Sequence, residues 1–333
     1  MTSNVKTAGF FLAMLVVALA SFLISLASGS NGISFFDSFK ALFGMGLEND
    51  VMIIREIRFP RVIAAFITGA GLAASGCVFQ AILKNPLADP FTLGVSGGAA
   101  FGTAACFVSG LAALNLFFLP FCSFAGALTA VLTVYLLSSG KRFDSNSMIL
   151  SGVVISYVFS SAVMLLYSLS SSRQIQAAFM WLMGDLSMID DRMLAPVSVI
   201  VLIAVFFLCA GANIINVLVL GGEKSETLGI NTERIIKIVF LTASLIAALC
   251  VSLCGVIGFV GLMTPHIMRK ITGANHIVLI PASALAGAAF LPLCDTLART
   301  LFAPVIIPVG VITGIAGGTF FIFLLLRNGG KIL

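Results

Sequence analysis

The sequence predicts an all-α, polytopic membrane protein with about ten transmembrane helices, organised as one transmembrane domain over residues 1–333. Three observations predict it. Apolar runs, nearly all long enough to cross a bilayer, fill the chain from end to end. Hydrophobic residues make up 60% of the sequence and charged residues only 9%, with a mean hydropathy of +1.16. A soluble chain of this size needs far more charge on its surface. No long polar stretch separates two halves, which overrides the two-domain expectation that 333 residues would otherwise raise. In lipid the backbone must satisfy its own hydrogen bonds, so a helical bundle follows.

The first run, about Ala8 to Ala27, follows Lys6 and ends in small residues, as a signal peptide would. It is too long for a signal h-region and more spans follow, so residues 8–28 read as the first spanning helix. Residues 29–60 form a long segment outside the membrane, amphipathic around Phe35 to Phe43. Spans are then predicted at 61–81, 92–112, 118–138 and 147–167. Ala65, Gly69 and Ala73 recur every four residues on the second span, a stripe that lets backbones approach closely. A Ser-rich loop, 168–192, carries the single tryptophan, Trp181. After a span at 193–213 comes a loop of mixed charge, 214–234. Spans at 235–254 and 256–272 follow, separated by a tight turn at Gly255, and those at 278–298 and 308–327 complete the set. Gly310, Gly314 and Gly318 form a second small-residue stripe, suited to packing within the subunit or between subunits.

Ten spans put both termini on one side. With the N-terminus in the cytoplasm, 11 of the 18 Lys and Arg residues fall on the cytoplasmic side, which favours that orientation. Arg55, Arg58 and Arg61 crowd the other side, which suggests a function there. The formal net charge of +5 does not indicate a nucleic-acid partner, because the basic residues are scattered through short loops. The seven cysteines sit in or at the edges of apolar runs, without a C-x-x-C pair, and read as packing residues. His266 and His276 are ten apart and match no metal-site spacing. No cofactor or metal is expected.

The middles of the spans hold almost no charge, so an ion-coupled carrier with a buried relay is not visible. Asp295 is the nearest candidate, but it lies near the end of its span, with Arg299 one turn on as a local ion-pair partner. There is no G-x-x-x-x-G-K-[ST] phosphate loop, no H-E-x-x-H and no G-x-S-x-G. A membrane-embedded enzyme is therefore not indicated, and a secondary transporter is the weaker alternative. Uphill transport by this chain would need a partner's energy.

Three blocks carry a resemblance. The first is R-F-P-R-V-I-A-A-F-I-T-G, opening at Arg58 and running through K-N-P-L-A-D-P-F-T-L-G-V-S-G-G to Gly98. The second, G-V-I-G-F-V-G-L-M-T-P-H-I-M-R, spans Gly255 to Arg269. The third runs from Leu279 through D-T-L-A-R to Gly314. Together they resemble the FecCD/BtuC-type permeases, the membrane subunits of type II ATP-binding-cassette importers for ferric siderophores, haem or cobalamin. The resemblance implies a ten-helix subunit of the cytoplasmic (inner) membrane that pairs with a second copy of itself. It also implies two ATPase subunits below and a periplasmic or lipoprotein substrate-binding protein outside. A ferric siderophore is the expected cargo, and ATP is expected to bind the partner rather than this chain.

The same resemblance assigns sites. Arg58, Arg61 and Arg299 would receive acidic residues of the binding protein as exposed charges that steer encounter; plain snorkelling is the competing account. Glu223, Lys224, Leu228, Gly229 and Arg234 would form the loop that couples to the ATPase, with Gly229 allowing a turn between short helices. Asn85 and Leu87, with Ser145 and Asn146, would form a cytoplasmic gate. Ser147, Ser151, Ser156 and Ser160 would line the pathway, although such hydroxyls also bond back to helix carbonyls.

Overall fold

The computed structural model describes residues 2–29, 33–115, 117–139, 145–187, 189, 191–220 and 231–327. Among these, every regular element is helical. In chain order they are α1 (Thr2–Ala27), α2 (Phe35–Leu42) and α3 (Glu48–Met52), a π-helical turn (Ile53–Arg58), then α4 (Phe59–Ile82), α5 (Val95–Val108), α6 (Leu111–Leu114) and α7 (Phe118–Ser138). There follow α8 (Ser145–Ser168), α9 (Ser172–Leu182), α10 (Asp191–Ala210), α11 (Ala212–Val219), α12 (Thr232–Cys254), α13 (Val260–Thr272), α14 (His276–Thr300) and α15 (Val309–Arg327).

Among the described residues, eight helices are long and apolar enough to span a membrane. All ten predicted segments coincide with helices, but two are short. The segment predicted at 92–112 holds a continuous α-helix only from Val95 to Val108, with the short α6 starting at Leu111. A 3-10 turn, Pro90–Leu93, and left-handed Gly94 (φ 86°) open it, and left-handed Gly110 follows its end. The segment predicted at 256–272 begins only at Val260. The tight turn expected at Gly255 is instead a non-helical link from Gly255 to Phe259, with φ positive at both ends. At Gly255 a side chain would also strike the Trp181 carbonyl.

α4 is the central rod, with residues buried along nearly its whole length. It packs against α14, α12, α13 and α10. Its closest crossing is with α14, where a β-carbon on Gly69 would collide with the Gly287 carbonyl and one on Gly287 with the Gly69 carbonyl. Lipid supplies no hydrophobic drive between helices, so such backbone-to-backbone contact is what holds this pair. The Ala65–Gly69–Ala73 stripe is therefore used within the subunit. The last helix differs: Gly310 packs on Met183, whereas nothing lies within 4 Å of a β-carbon built on Gly314 or Gly318.

Among the described residues, the predicted loop 168–192 is structured. Residues 172–182 form a helix whose Ser171 and Gln174 make a capping box. Trp181 on this helix is buried against Cys106 and Leu119. The backbone after it is clamped by α15, with Val309 N–H donating to Gly184 O at 3.0 Å and Gly310 N–H to Met183 O at 3.1 Å. At the start of α4, Pro60 has no N–H to donate, and the chain passes this point through the π turn rather than a regular α turn.

Candidate functional site

Two clusters of hydrogen-bonded polar groups sit at the two ends of α14. At its C-terminal end the Asp295 side chain is fully buried. Arg61 reaches it from α4, its Nε donating to both carboxylate oxygens at 3.0 Å and its Nη2 to Oδ1 at 2.8 Å. Arg299, one turn along α14, donates from Nε to Oδ2 at 3.0 Å. The local pair expected from sequence is present, but Arg61, 234 residues away, holds the same carboxylate.

The end of α1 completes this cluster. The last carbonyls of a helix lack intrahelical donors and carry the negative end of its dipole, and α1 has no basic residue in its own last turn. Two guanidiniums supply the need. Arg58 Nη1 donates to the carbonyls of Leu26 at 3.2 Å and Ala27 at 3.0 Å. Arg299 donates to those of Ser28 at 3.1 Å and Ser25 at 2.9 Å. Gly29 is held open for this, since a β-carbon there would collide with the Arg58 guanidinium. The three arginines line a cavity of about 200 Å³ with Gly29, Ile53 and Pro304. Among the described residues, Asp295 is the one carboxylate ion-paired within the cluster.

This corrects one expectation. Arg58 and Arg61 are 5% and 6% exposed, and the Arg299 side chain 9%. They are not free surface charges: each is aimed by hydrogen bonds into the wall of a cavity.

At the N-terminal end of α14 the groups are neutral amides. Asn275 caps the helix, its Oδ1 accepting the Ile277 N–H at 3.1 Å. Asn216, on α11, donates from Nδ2 to Asn275 Oδ1 at 2.9 Å. Its own Oδ1 accepts the His276 N–H at 2.9 Å and lies 2.8 Å from His276 Nδ1. The helix that precedes residues 221–230 is thus tied to α14, the helix that carries Asp295. Glu223, Lys224, Leu228 and Gly229 lie outside the described residues. Arg234 is exposed in the first turn of α12, where Asn231 caps the helix through the Arg234 N–H at 3.0 Å.

The gate candidates lie at the end of α4 remote from the arginines. Asn85 Oδ1 accepts the Leu87 N–H at 2.9 Å, making a tight Asn-led turn that leaves Leu87 exposed. Ser145 Oγ donates to the Ile82 carbonyl at 3.2 Å, so the start of α8 meets this turn, with Asn146 exposed beside it. Next to it, Asp89 Oδ1 caps the 3-10 turn through the Phe91 N–H at 3.0 Å. Burial pushes the Asp89 carboxyl up to about 6, against the lowering effect of that N–H. Gln80, also buried, donates to the Leu262 carbonyl at 3.3 Å and accepts from Arg269 Nη2 at 3.2 Å, which ties α4 to α13.

The serines of α8 divide. Ser156 Oγ bonds back to the Gly152 carbonyl at 2.8 Å. Ser160 is exposed, and Ser147 and Ser151 are half-buried. Sequence reading missed Asn216, Asn275 and Gln80 as site residues. Only Asn275 had a local signal, an Asn set just before a long apolar run.

Comparison with known proteins gives this geometry its context. The model of the FecCD transport family matches residues 15–327. The chain belongs to the FecCD transport family. Its FecCD relatives include the hemin transport system permease protein HmuU of Yersinia pestis, 36% identical over 326 residues, covering 96% of this chain and 95% of that protein. The vitamin B12 import system permease protein BtuC of Escherichia coli O139:H28 is 34% identical, with 96% and 95% covered. The iron(3+)-hydroxamate import system permease protein FhuG of Bacillus subtilis is 32% identical, with 95% of each chain covered. Among solved structures, an inward-facing metal-chelate type ABC transporter aligns with a TM-score of 0.84 at 28% identity, over 96% of this FecCD chain and 99% of the other.

Proposed function

We propose that this chain is the permease subunit of an ATP-binding-cassette importer that passes a metal chelate, a ferric siderophore first and haem or cobalamin next, from a binding protein to the cytoplasm. The observation that carries the reading is the cavity lined by three arginines, of which only Arg61 and Arg299 are paired to a carboxylate, Asp295. Its excess positive charge, in a pocket that remains open, suits a carboxylate offered by another protein. The names of the relatives support the substrate class. Asp295 is held by two arginines, which argues against a proton relay and so against a secondary transporter.

In this reading the arginine end faces outward and both termini lie in the cytoplasm. Two ATPase subunits act on residues 223–234, and the turn at Asn85–Leu87 with Ser145 and Asn146 closes the inner end. A second copy of the chain covers the open glycines of α15.

The test is transport by the permease co-reconstituted in liposomes with the ATPase and binding protein of the same system. Accumulation of one ferric chelate that requires all three proteins and ATP is expected; uptake by the permease alone overturns the reading. Arg58→Gln, which removes one charge while leaving the Asp295 ion pairs and an amide donor near the α1 carbonyls, is expected to lower binding-protein affinity about tenfold in protein that still inserts and purifies. Gly314→Leu is expected to leave the subunit folded but shift it from dimer to monomer in light scattering. A persistent dimer would remove α15 from the seam.

A further inference from the structure

Helix α2, beside the arginine end, has three faces. At 100° per residue, Phe35, Phe39, Phe43 and Phe36 fall within an arc of about 100°. They are 50%, 49%, 59% and 76% exposed. Asp37 and Lys40 occupy a second arc and form an exposed ion pair. Ser38 and Ala41 occupy the third and are buried, with Ala41 against Leu26 of α1 and Ile54 of the π turn. The rings stack edge to face in pairs, Phe35 with Phe36 at 6.0 Å and Phe39 with Phe43 at 5.2 Å, and stay on the outer side of the helix.

We propose that α2 is an interfacial membrane anchor whose four phenylalanines enter the boundary between lipid headgroups and acyl chains. Protein on one side, charge on the second and aromatic rings on the third is the arrangement required of a helix lying at the edge of a bilayer, against a spanning bundle. The occupant of the aromatic face is lipid, because α2 packs through Ala41 on the end of α1, a helix long and apolar enough to span the bilayer and itself largely apolar on its exposed side. α1, which buries the third face of α2, exposes Leu12, Leu15, Val16, Leu19, Leu23 and Ile24. Met45 and Leu47, in the link just beyond α2, are also exposed.

The anchor has a mechanical consequence. Arg55 Nε donates at 2.9 Å to the Leu42 carbonyl at the end of α2. Three residues later Arg58 joins the arginine cluster. A helix fixed at the bilayer surface therefore sets the height of the cluster above it. This last step deepens the proposed docking role; the membrane anchor itself stands without it.

The experiment is fluorescence of Phe36→Trp in the full-length chain, in vesicles of ordinary and of brominated phosphatidylcholine. The native Trp181 is 2% exposed and supplies a shielded background, measured in the wild-type chain. The added emission is expected to be blue-shifted and more than halved by lipids brominated near the headgroup, with weaker quenching by lipids brominated deep in the chain. Emission at the aqueous maximum with no quenching overturns the proposal. A blue shift without quenching also overturns it, since a second copy would then cover the face. So does quenching or a shift that arises only when the binding protein is added. Phe39→Trp repeats the measurement, so that misfolding of one variant does not decide the outcome.

Discussion

The two ends of α14 solve the same problem with different chemistry. At the C-terminal end a buried carboxylate is gripped by two guanidiniums, of which that of Arg299 also caps α1. At the N-terminal end two asparagines and a histidine close a neutral network with α11. Full charges withdrawn from water depend on one another, because removing one strands the rest. Amides depend on one another less, because an unsatisfied neutral group costs less to bury. The charged end is therefore the less forgiving of change, and it surrounds a cavity. The neutral end can break and re-form at lower cost, and it adjoins the segment expected to receive motion from the cytoplasm.

That contrast can be broken first at Asp295. Asp295→Ala leaves Arg61 and Arg299 buried without their counter-charge, and a loss of about 3–5 kcal/mol is expected, read as failure to purify or a collapse of the thermal transition. A stable Asp295→Ala protein would mean that the helix carbonyls alone neutralise the cluster. Asn216→Ala is expected to cost less, about 1–3 kcal/mol for stranded neutral donors. In the assembled transporter it should lower the ratio of transport to ATP hydrolysis. Asn216→Asp, which keeps the acceptor for His276, should restore most of the stability; equal loss in both variants would remove that acceptor from the account.

Asp89 sharpens the comparison as a buried carboxylate with no ion-pair partner among the described residues. Its ordinary value is 3.8 and its folded value about 6. Between these values the folded chain keeps a proton that the unfolded chain has released. Stability is therefore fully present below pH 4, falls as pH rises toward 6 and then levels off, by up to about 3 kcal/mol in all. Asp89→Asn is expected to flatten this slope in thermal unfolding measured across the window; an unchanged slope would assign it to another group.

The predicted spans hold up because hydropathy is a local property and a membrane enforces it run by run. The amphipathic stretch at Phe35–Phe43 was legible for the same reason. The two short helices were not: a hydropathy window passes straight through Gly94 and Gly255, whose positive φ ends a helix without lowering its apolar content. The Ala65–Gly69–Ala73 stripe announced a close crossing but not its partner Gly287. The arginines were visible as a group, yet their burial was not. Nothing near Arg61 in the sequence points to a carboxylate 234 residues away.

The sequence by itself determined the solvent, the helical class and the family, because each is written in contiguous residues: runs of apolar side chains and long unbroken motifs. Only the tertiary structure decided which charges are paired, which glycines are already filled and which face of α2 is left for lipid. Those depend on distances between segments far apart in the chain, set by packing α1, α4 and α14 together, and no local pattern encodes them.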